Sequence, residues 1–237
     1  MPIYITITLI ACIIVSTIFT ILSFNKNLFN LYLKTVSSML FTILGLFCLF
    51  SKAVKFNAEL GDNALIGGFL LVLGLILSLI GDIILGMPRI SELKRDRLPV
   101  IIGGASWFAL AHVTYCVALA VLFGINVWVI AIIIPMSLFY TFANKLFGKI
   151  DYKKLTLGVY LYSLIESLSF ALCITALVFN YSISALILTI GFTLFYISDM
   201  VLMHNYFGEK RRYISVICHA CYYPAQILIA LSIFFLA

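Results

Sequence analysis

Eight apolar stretches, each near the roughly 20 residues that cross a bilayer as a helix, leave this chain little choice of architecture. They lie at about 3–23, 35–54, 64–86, 98–122, 126–143, 156–178, 183–206 and 213–236. In hydrocarbon the backbone has no water to bond, so spanning segments are helices or closed barrels. The runs are continuously apolar rather than alternating, which excludes a barrel. With 64% hydrophobic and 10% charged residues among 237, no polar stretch remains for a separate soluble domain. The expected fold is all-α: a single integral-membrane domain over residues 1–237 with eight transmembrane helices.

The charges that do occur are sorted by side. The loops after spans 1, 3, 5 and 7 carry Lys26 and Lys34; Arg89, Lys94, Arg95 and Arg97; Lys145, Lys149, Lys153 and Lys154; and Lys210, Arg211 and Arg212. The opposite side carries Lys52 and Lys55. The positive-inside rule puts the four basic loops in the cytoplasm and both termini on the non-cytoplasmic side. The net charge of +6 thus serves topology and does not signal nucleic-acid binding. Met1 runs straight into apolar sequence with no basic leader, so a cleaved signal peptide is not expected. Compact size and the absence of targeting tails favour a bacterial inner (plasma) membrane. The six cysteines sit in or beside apolar segments, which argues against a disulfide framework. Cys218 and Cys221 form a C-x-x-C at the start of a span, and small buried thiols are the simpler reading of it.

Against this background two acids stand out. Asp82 lies in LSLIGDIILG and Asp199 in LFYISDMVLM, both inside spans. An ionisable side chain within a membrane is costly and marks a polar interior with a function. At 1.5 Å per residue Asp82 falls within about 6 Å, and Asp199 about 10 Å, of the cytoplasmic end of its span. Neighbouring spans supply polar stripes at helical spacing: His112 and Tyr115; Tyr160, Ser163 and Glu166; His219, Tyr222, Tyr223 and Gln226. Tyr196 shares a face with Asp199 by the same spacing. The stripes are expected to wall one cavity open toward the cytoplasm. The two acidic segments align at Ile80/Ile197, Asp82/Asp199 and Leu85/Leu202, as in a chain built from two parallel four-helix repeats.

These residues resemble the lysoplasmalogenase (YhhN-type) family of multispan membrane proteins. The pattern is Gly81-Asp82 on one span, His112 to Tyr115 on the next, Ser198-Asp199 late in the chain and Tyr222 to Gln226 on the last span. A Lys at the cytoplasmic start of span 2 belongs to it as well. Lys34 fits, but Thr35 stands where a Pro often follows. The resemblance covers nearly the whole chain and implies hydrolysis of the vinyl-ether bond of lysoplasmalogens, giving a fatty aldehyde and a glycerophospho-alcohol.

A vinyl ether hydrolyses by protonation on carbon, capture of the oxocarbenium ion by water, and collapse of the hemiacetal. Two carboxylates in different environments can divide the work, as they do around the similar cation in glycosidases. Asp82 and Asp199 are the expected catalytic acid and base. Tyr115, Tyr222, Gln226 and His112 would orient water and the ether oxygen, and Lys34 would pair with the substrate phosphate. No cofactor and no metal is expected. The partners are a lysophospholipid and the bilayer, with no nucleic acid. Bland alternatives exist: the aspartates as interhelical glue, Lys34 as a topology charge, and Glu166 paired with a His or Lys. Two other functions compete. A small-solute or proton-coupled transporter also uses intramembrane acids and parallel repeats. A metal-dependent hydrolase would draw on His112, His204, His219 and an aspartate.

Overall fold

The computed structural model describes residues 1–23, 28–56, 62–87, 98–148, 150, 152, 155–207 and 212–236. Within them the chain forms α1 (Ile3–Leu22), α2 (Leu28–Phe56), α3 (Asn63–Gly86), α4 (Leu98–Phe123), α5 (Trp128–Gly148), α6 (Thr156–Phe179), α7 (Ile183–Phe207) and α8 (Arg212–Ser232). A 3-10 turn, Ile233–Phe235, extends the last helix. Eight helices are long and apolar enough to cross a membrane. Both α5 and α8 continue through their internal prolines, Pro135 and Pro224. The six cysteines are free thiols, Cys221 half-buried and the rest buried. The basic residues Lys26, Arg89, Lys94, Arg95, Arg97, Lys149, Lys153, Lys154, Lys210 and Arg211 lie outside the described residues.

One helix boundary differs from expectation in a way that matters. The second span was expected to start at 35, but α2 starts at Leu28, so Lys34 is a helical residue rather than a loop charge. Asn30 and Lys34 dilute the hydropathy of this first stretch, yet both are buried. Asn30 closes the α1–α2 junction by donating to the Leu22 carbonyl at 2.7 Å. Lys52 is likewise inside α2 and buried, with its ammonium donating to the Leu236 carbonyl.

The core is organised around α3, which packs most extensively on α4 and also meets α2 and α8. Membrane helices gain little from apolar contact with each other, so close approach is decided by small residues. On α3, Gly67, Gly74 and Gly81 recur every seventh residue and face Leu122, Tyr115 and Phe108, which recur every seventh residue on the antiparallel α4. A Cβ at Gly74 would sit 2.2 Å from the Tyr115 ring, and one at Gly81 2.8 Å from the Phe108 ring. The glycines thus form sockets for the large side chains of α4.

The helix pairing repeats within the chain. The α3–α4, α2–α3, α1–α2 and α4–α6 packings have counterparts in α7–α8, α6–α7, α5–α6 and α8–α2. Replacing helices 1–4 by 5–8 converts one set into the other, the pattern that two parallel four-helix repeats produce.

Gly74 and Gly158 should respond oppositely to a methyl group. Gly74→Ala overpacks a filled socket and is expected to cost about 1–3 kcal/mol. A Cβ at Gly158 meets nothing within 4 Å, so Gly158→Ala should leave the unfolding temperature unchanged or higher. Thermal unfolding in detergent micelles, followed by circular dichroism, checks both.

Candidate functional site

Asp82 lies one turn before the end of α3 and is fully engaged. Its Oδ1 is 3.0 Å from the Lys34 ammonium. Its Oδ2 accepts from the Ser38 hydroxyl at 2.6 Å and the Tyr222 hydroxyl at 2.7 Å. Lys34 and Ser38 are four apart on α2, so one helix face delivers both donors. Tyr222 comes from α8, and Asp82 therefore joins three helices. The pair is almost completely buried, with side-chain exposures of 8% and 4%. At such burial the desolvation cost of each charge is offset because both carboxylate oxygens have donors.

Asp199, two turns before the end of α7, is held differently. Its Oδ2 accepts from the Tyr162 hydroxyl of α6 and lies 3.9 Å from His112 Nε2 of α4. His112 Nδ1 is 3.2 Å from the Ser169 hydroxyl, whose own proton can go to the Ile165 carbonyl at 3.3 Å. In that arrangement Nδ1 carries the imidazole proton and Nε2 presents its lone pair to the interior. Glu166 completes the group. Ligating atoms of His112, Glu166 and Asp199 all lie within 4.8 Å of one another. Both Glu166 carboxylate oxygens and His112 Nε2 are buried with no hydrogen-bond partner among the described residues. Tyr162, Glu166 and Ser169 share one face of α6 at four- and three-residue spacing.

The two clusters are parted by aromatic rings. Phe195 stands 4.5 Å from the His112 ring and 5.5 Å from that of Tyr222, centroid to centroid. Phe108 packs on both Phe195 and Tyr222. Deeper in the bundle, Tyr115 donates to Gln226 Oε1 at 3.2 Å and lies 3.4 Å from the Ser78 hydroxyl. An apolar groove of about 260 Å³ runs between α4, α6 and α7, from Leu155, Gly158 and Phe207 inward to Phe108, Tyr162 and Ile165. Exposed apolar side chains of Ile102 and Leu161 also line it. Tyr162 thus lines the groove and donates its hydroxyl to Asp199.

The structure brings the sequence-expected residues together in three sets: Lys34, Asp82 and Tyr222; His112 and Asp199; Tyr115 and Gln226. It departs from expectation elsewhere. Between the aspartate clusters lie Phe195, packed on His112 and Tyr222, and Phe108, packed on Phe195 and Tyr222. His219 turns away from Tyr222 and Gln226: its Nδ1 is 2.5 Å from the Ser215 carbonyl and its ring packs on Phe19 and Tyr223. Tyr196 donates to the Met136 carbonyl at 2.6 Å instead of flanking Asp199. Tyr160 is 41% exposed and Ser163 bonds Ser137, so the inward face of α6 is that of Tyr162 rather than Tyr160. The reading of one face from 160, 163 and 166 followed a spacing of three. The alternative spacing of four then three, at 162, 166 and 169, was the available signal for the correct one. Ser38, Tyr162 and Ser169 were missed because hydroxyls are common on membrane helices. Of the side chains that the competing metal-dependent hydrolase would draw on, His204 and His219 are not in the cluster around His112. Among the described residues, His112, Glu166 and Asp199 are the group whose atoms suit a cation.

Fold and site define a polytopic α-helical membrane protein with two carboxylate centres built from related helices. The chain belongs to the YhhN family, whose profile matches residues 37–233. The matched stretch includes both aspartates, His112, Tyr115, Tyr222 and Gln226, and begins just after Lys34. No curated protein and no solved structure matches the chain.

The Lys34–Asp82 pair carries its own test. Asp82→Asn leaves an ammonium uncompensated in the interior, a change that costs about 3–5 kcal/mol in buried pairs. Adding Lys34→Met removes the stranded charge. The double variant is expected to unfold at a higher temperature than Asp82→Asn alone, measured in the same micelles.

Proposed function

We propose that this chain is a membrane-embedded hydrolase that cleaves the vinyl-ether bond of lysoplasmalogens to a fatty aldehyde and a glycerophospho-alcohol. The observation that carries the reading is the double contact of Tyr162, which joins the apolar groove to the Asp199 carboxylate. A lipid chain entering from the bilayer would lie along Ile102, Leu161 and Val159 with its alkenyl end near Tyr162. The groove volume, about 260 Å³, is just below the roughly 300 Å³ at the low end of small-molecule pockets and suits part of a chain rather than a whole lipid. Family membership supports the substrate class. In this reading the open end of the groove faces the cytoplasm, which the positive-inside rule supports.

The two clusters take different parts. Asp82, its charge balanced by Lys34 and its Oδ2 bonded by two hydroxyls, fixes the Tyr222 hydroxyl that would orient water. Lys34 holds that carboxylate at 3.0 Å. The Asp199 cluster handles the proton. A proton passes to the alkenyl carbon, the C=C electron pair forms the new C–H bond, and the ether oxygen stabilises the resulting cation. Water adds to that cation and gives up a proton to the cluster. The hemiacetal then breaks its C–O bond to the glyceryl oxygen, which takes a proton as the aldehyde forms. Tyr115 and Gln226, bonded to each other, order the polar end of the interior.

The paired-repeat packing of the helices also suits a small-solute or proton-coupled transporter. Against that reading, α5 and α8 run unbroken through Pro135 and Pro224, so neither supplies the interrupted helix such sites use.

The deciding experiment is fatty-aldehyde release from a defined lysoplasmalogen by purified protein. Asp199→Asn and Asp82→Asn are each expected to reduce turnover by roughly 10²- to 10⁴-fold, the usual worth of a positioned acid or base. Near-normal turnover in both folded variants overturns the carboxylate assignment. No aldehyde from folded wild type overturns the substrate, and solute flux in liposomes then tests transport. Gly158→Phe projects a ring into the groove without a steric clash at Cβ. It should lower turnover while leaving the unfolding temperature intact.

A further inference from the structure

The two carboxylate clusters differ in charge balance. Asp82 has its cation in Lys34. Asp199 and Glu166 lie close together, 2% exposed each, and no Lys or Arg forms an ion pair with either among the described residues. Two carboxylates left uncompensated in hydrocarbon are too costly to persist. Something positive must lie between them, a proton or a metal cation. A proton on Glu166 would lower the charge but leave one carboxylate uncompensated, and neither Glu166 oxygen has a hydrogen-bond partner among the described residues. A cation would engage both carboxylates and His112 Nε2 together.

The donor set has the chemistry of a metal site. One imidazole nitrogen and two carboxylates, drawn from α4, α6 and α7, are ligand types that zinc accepts, and three of them match the count in catalytic zinc sites, which leave a further position open. The supporting contacts are also present. The Nδ1 of a ligating histidine is usually fixed by a hydrogen bond, and here Ser169 lies 3.2 Å from it. A ligating carboxylate is itself usually bonded, and Asp199 accepts from Tyr162. The atoms stand somewhat wide: His112 Nε2 and Asp199 Oδ2 are 3.9 Å apart, against about 3.4 Å for neighbouring ligands around a tetrahedral zinc. No hydrogen bond among the described residues holds the Glu166 carboxylate in its present orientation.

We propose that His112, Glu166 and Asp199 bind one divalent cation of the zinc type in the interior of α4, α6 and α7. Its two charges neutralise the two carboxylates and leave the cluster electrically balanced. The proposal goes beyond the hydrolase reading and does not depend on the substrate; with the cation bound, the proton which that reading draws from this cluster would come from water at the open position.

The test uses full-length protein in detergent, stripped with a chelator, titrated with zinc alone, and assayed for bound metal by mass spectrometry after desalting. One equivalent per chain is expected. Glu166→Gln and His112→Ala should each weaken zinc binding by roughly 100-fold or more, while His204→Ala keeps the full equivalent. Zinc X-ray absorption on the wild type needs no variant and should show nitrogen and oxygen ligands only. Wild-type protein that takes up no zinc overturns the proposal. So does binding unchanged in both ligand variants, or a zinc–sulfur shell from a cysteine. Because the readout is metal content, failure here is distinct from failure to release aldehyde.

Discussion

A carboxylate among lipid-like side chains must be neutralised and hydrogen-bonded by its own protein, and the interior of this bundle is arranged to meet that requirement twice. Around Asp82 the solution is complete: a lysine and two hydroxyls from α2 and α8 converge on the end of α3. Around Asp199 it is partial, with one tyrosine, one histidine and a second acid from α4 and α6. Each aspartate reaches back to the helix before it in the same half and across to the last helix of the other half. The acids therefore tie the two halves of the chain together, and neither half completes a centre alone.

The bundle can bring these groups together because α3 gives up side-chain volume. Gly67, Gly74 and Gly81 let α4 approach until Leu122, Tyr115 and Phe108 fill the sockets. That approach sets the position of Tyr115 against Gln226 and of Phe108 against Tyr222. The same glycine stripe that serves packing thus positions the walls of the site. Without it, the aromatic partition between the two carboxylate centres would stand elsewhere, and the groove beside Phe108 would change shape.

Much of this was legible before any coordinates. Helix number and type follow from the length of the apolar runs, since hydrocarbon forbids an unpaired backbone. The aspartates drew attention for an equally general reason, the cost of an acid in a membrane. Residues three and four apart correctly grouped His112 with Tyr115, whose rings meet at 6.0 Å. The errors have a common cause. The start of α2 was placed late because Asn30 and Lys34 read as polar, whereas both are buried with partners. On α6 the spacing of three points to Tyr160 and that of four to Tyr162; both describe a helix face, and choosing between them requires the neighbour.

By itself the sequence determined the number of membrane-crossing helices, the placement of Asp82 and Asp199 within them, and the order of motifs that marks the family. These depend on hydropathy and on positions along the chain, which are local properties. Which helix faces which was decided only in the tertiary structure. That Lys34 pairs with Asp82, that Tyr162 and not Tyr160 meets Asp199, and that Glu166 joins His112 are outcomes of packing between residues far apart in sequence. Such contacts depend on rotations of whole helices about their axes. A rotation by one residue turns a side chain through about 100° and exchanges a buried partner for a lipid-facing one, with almost no trace in the hydropathy of the chain.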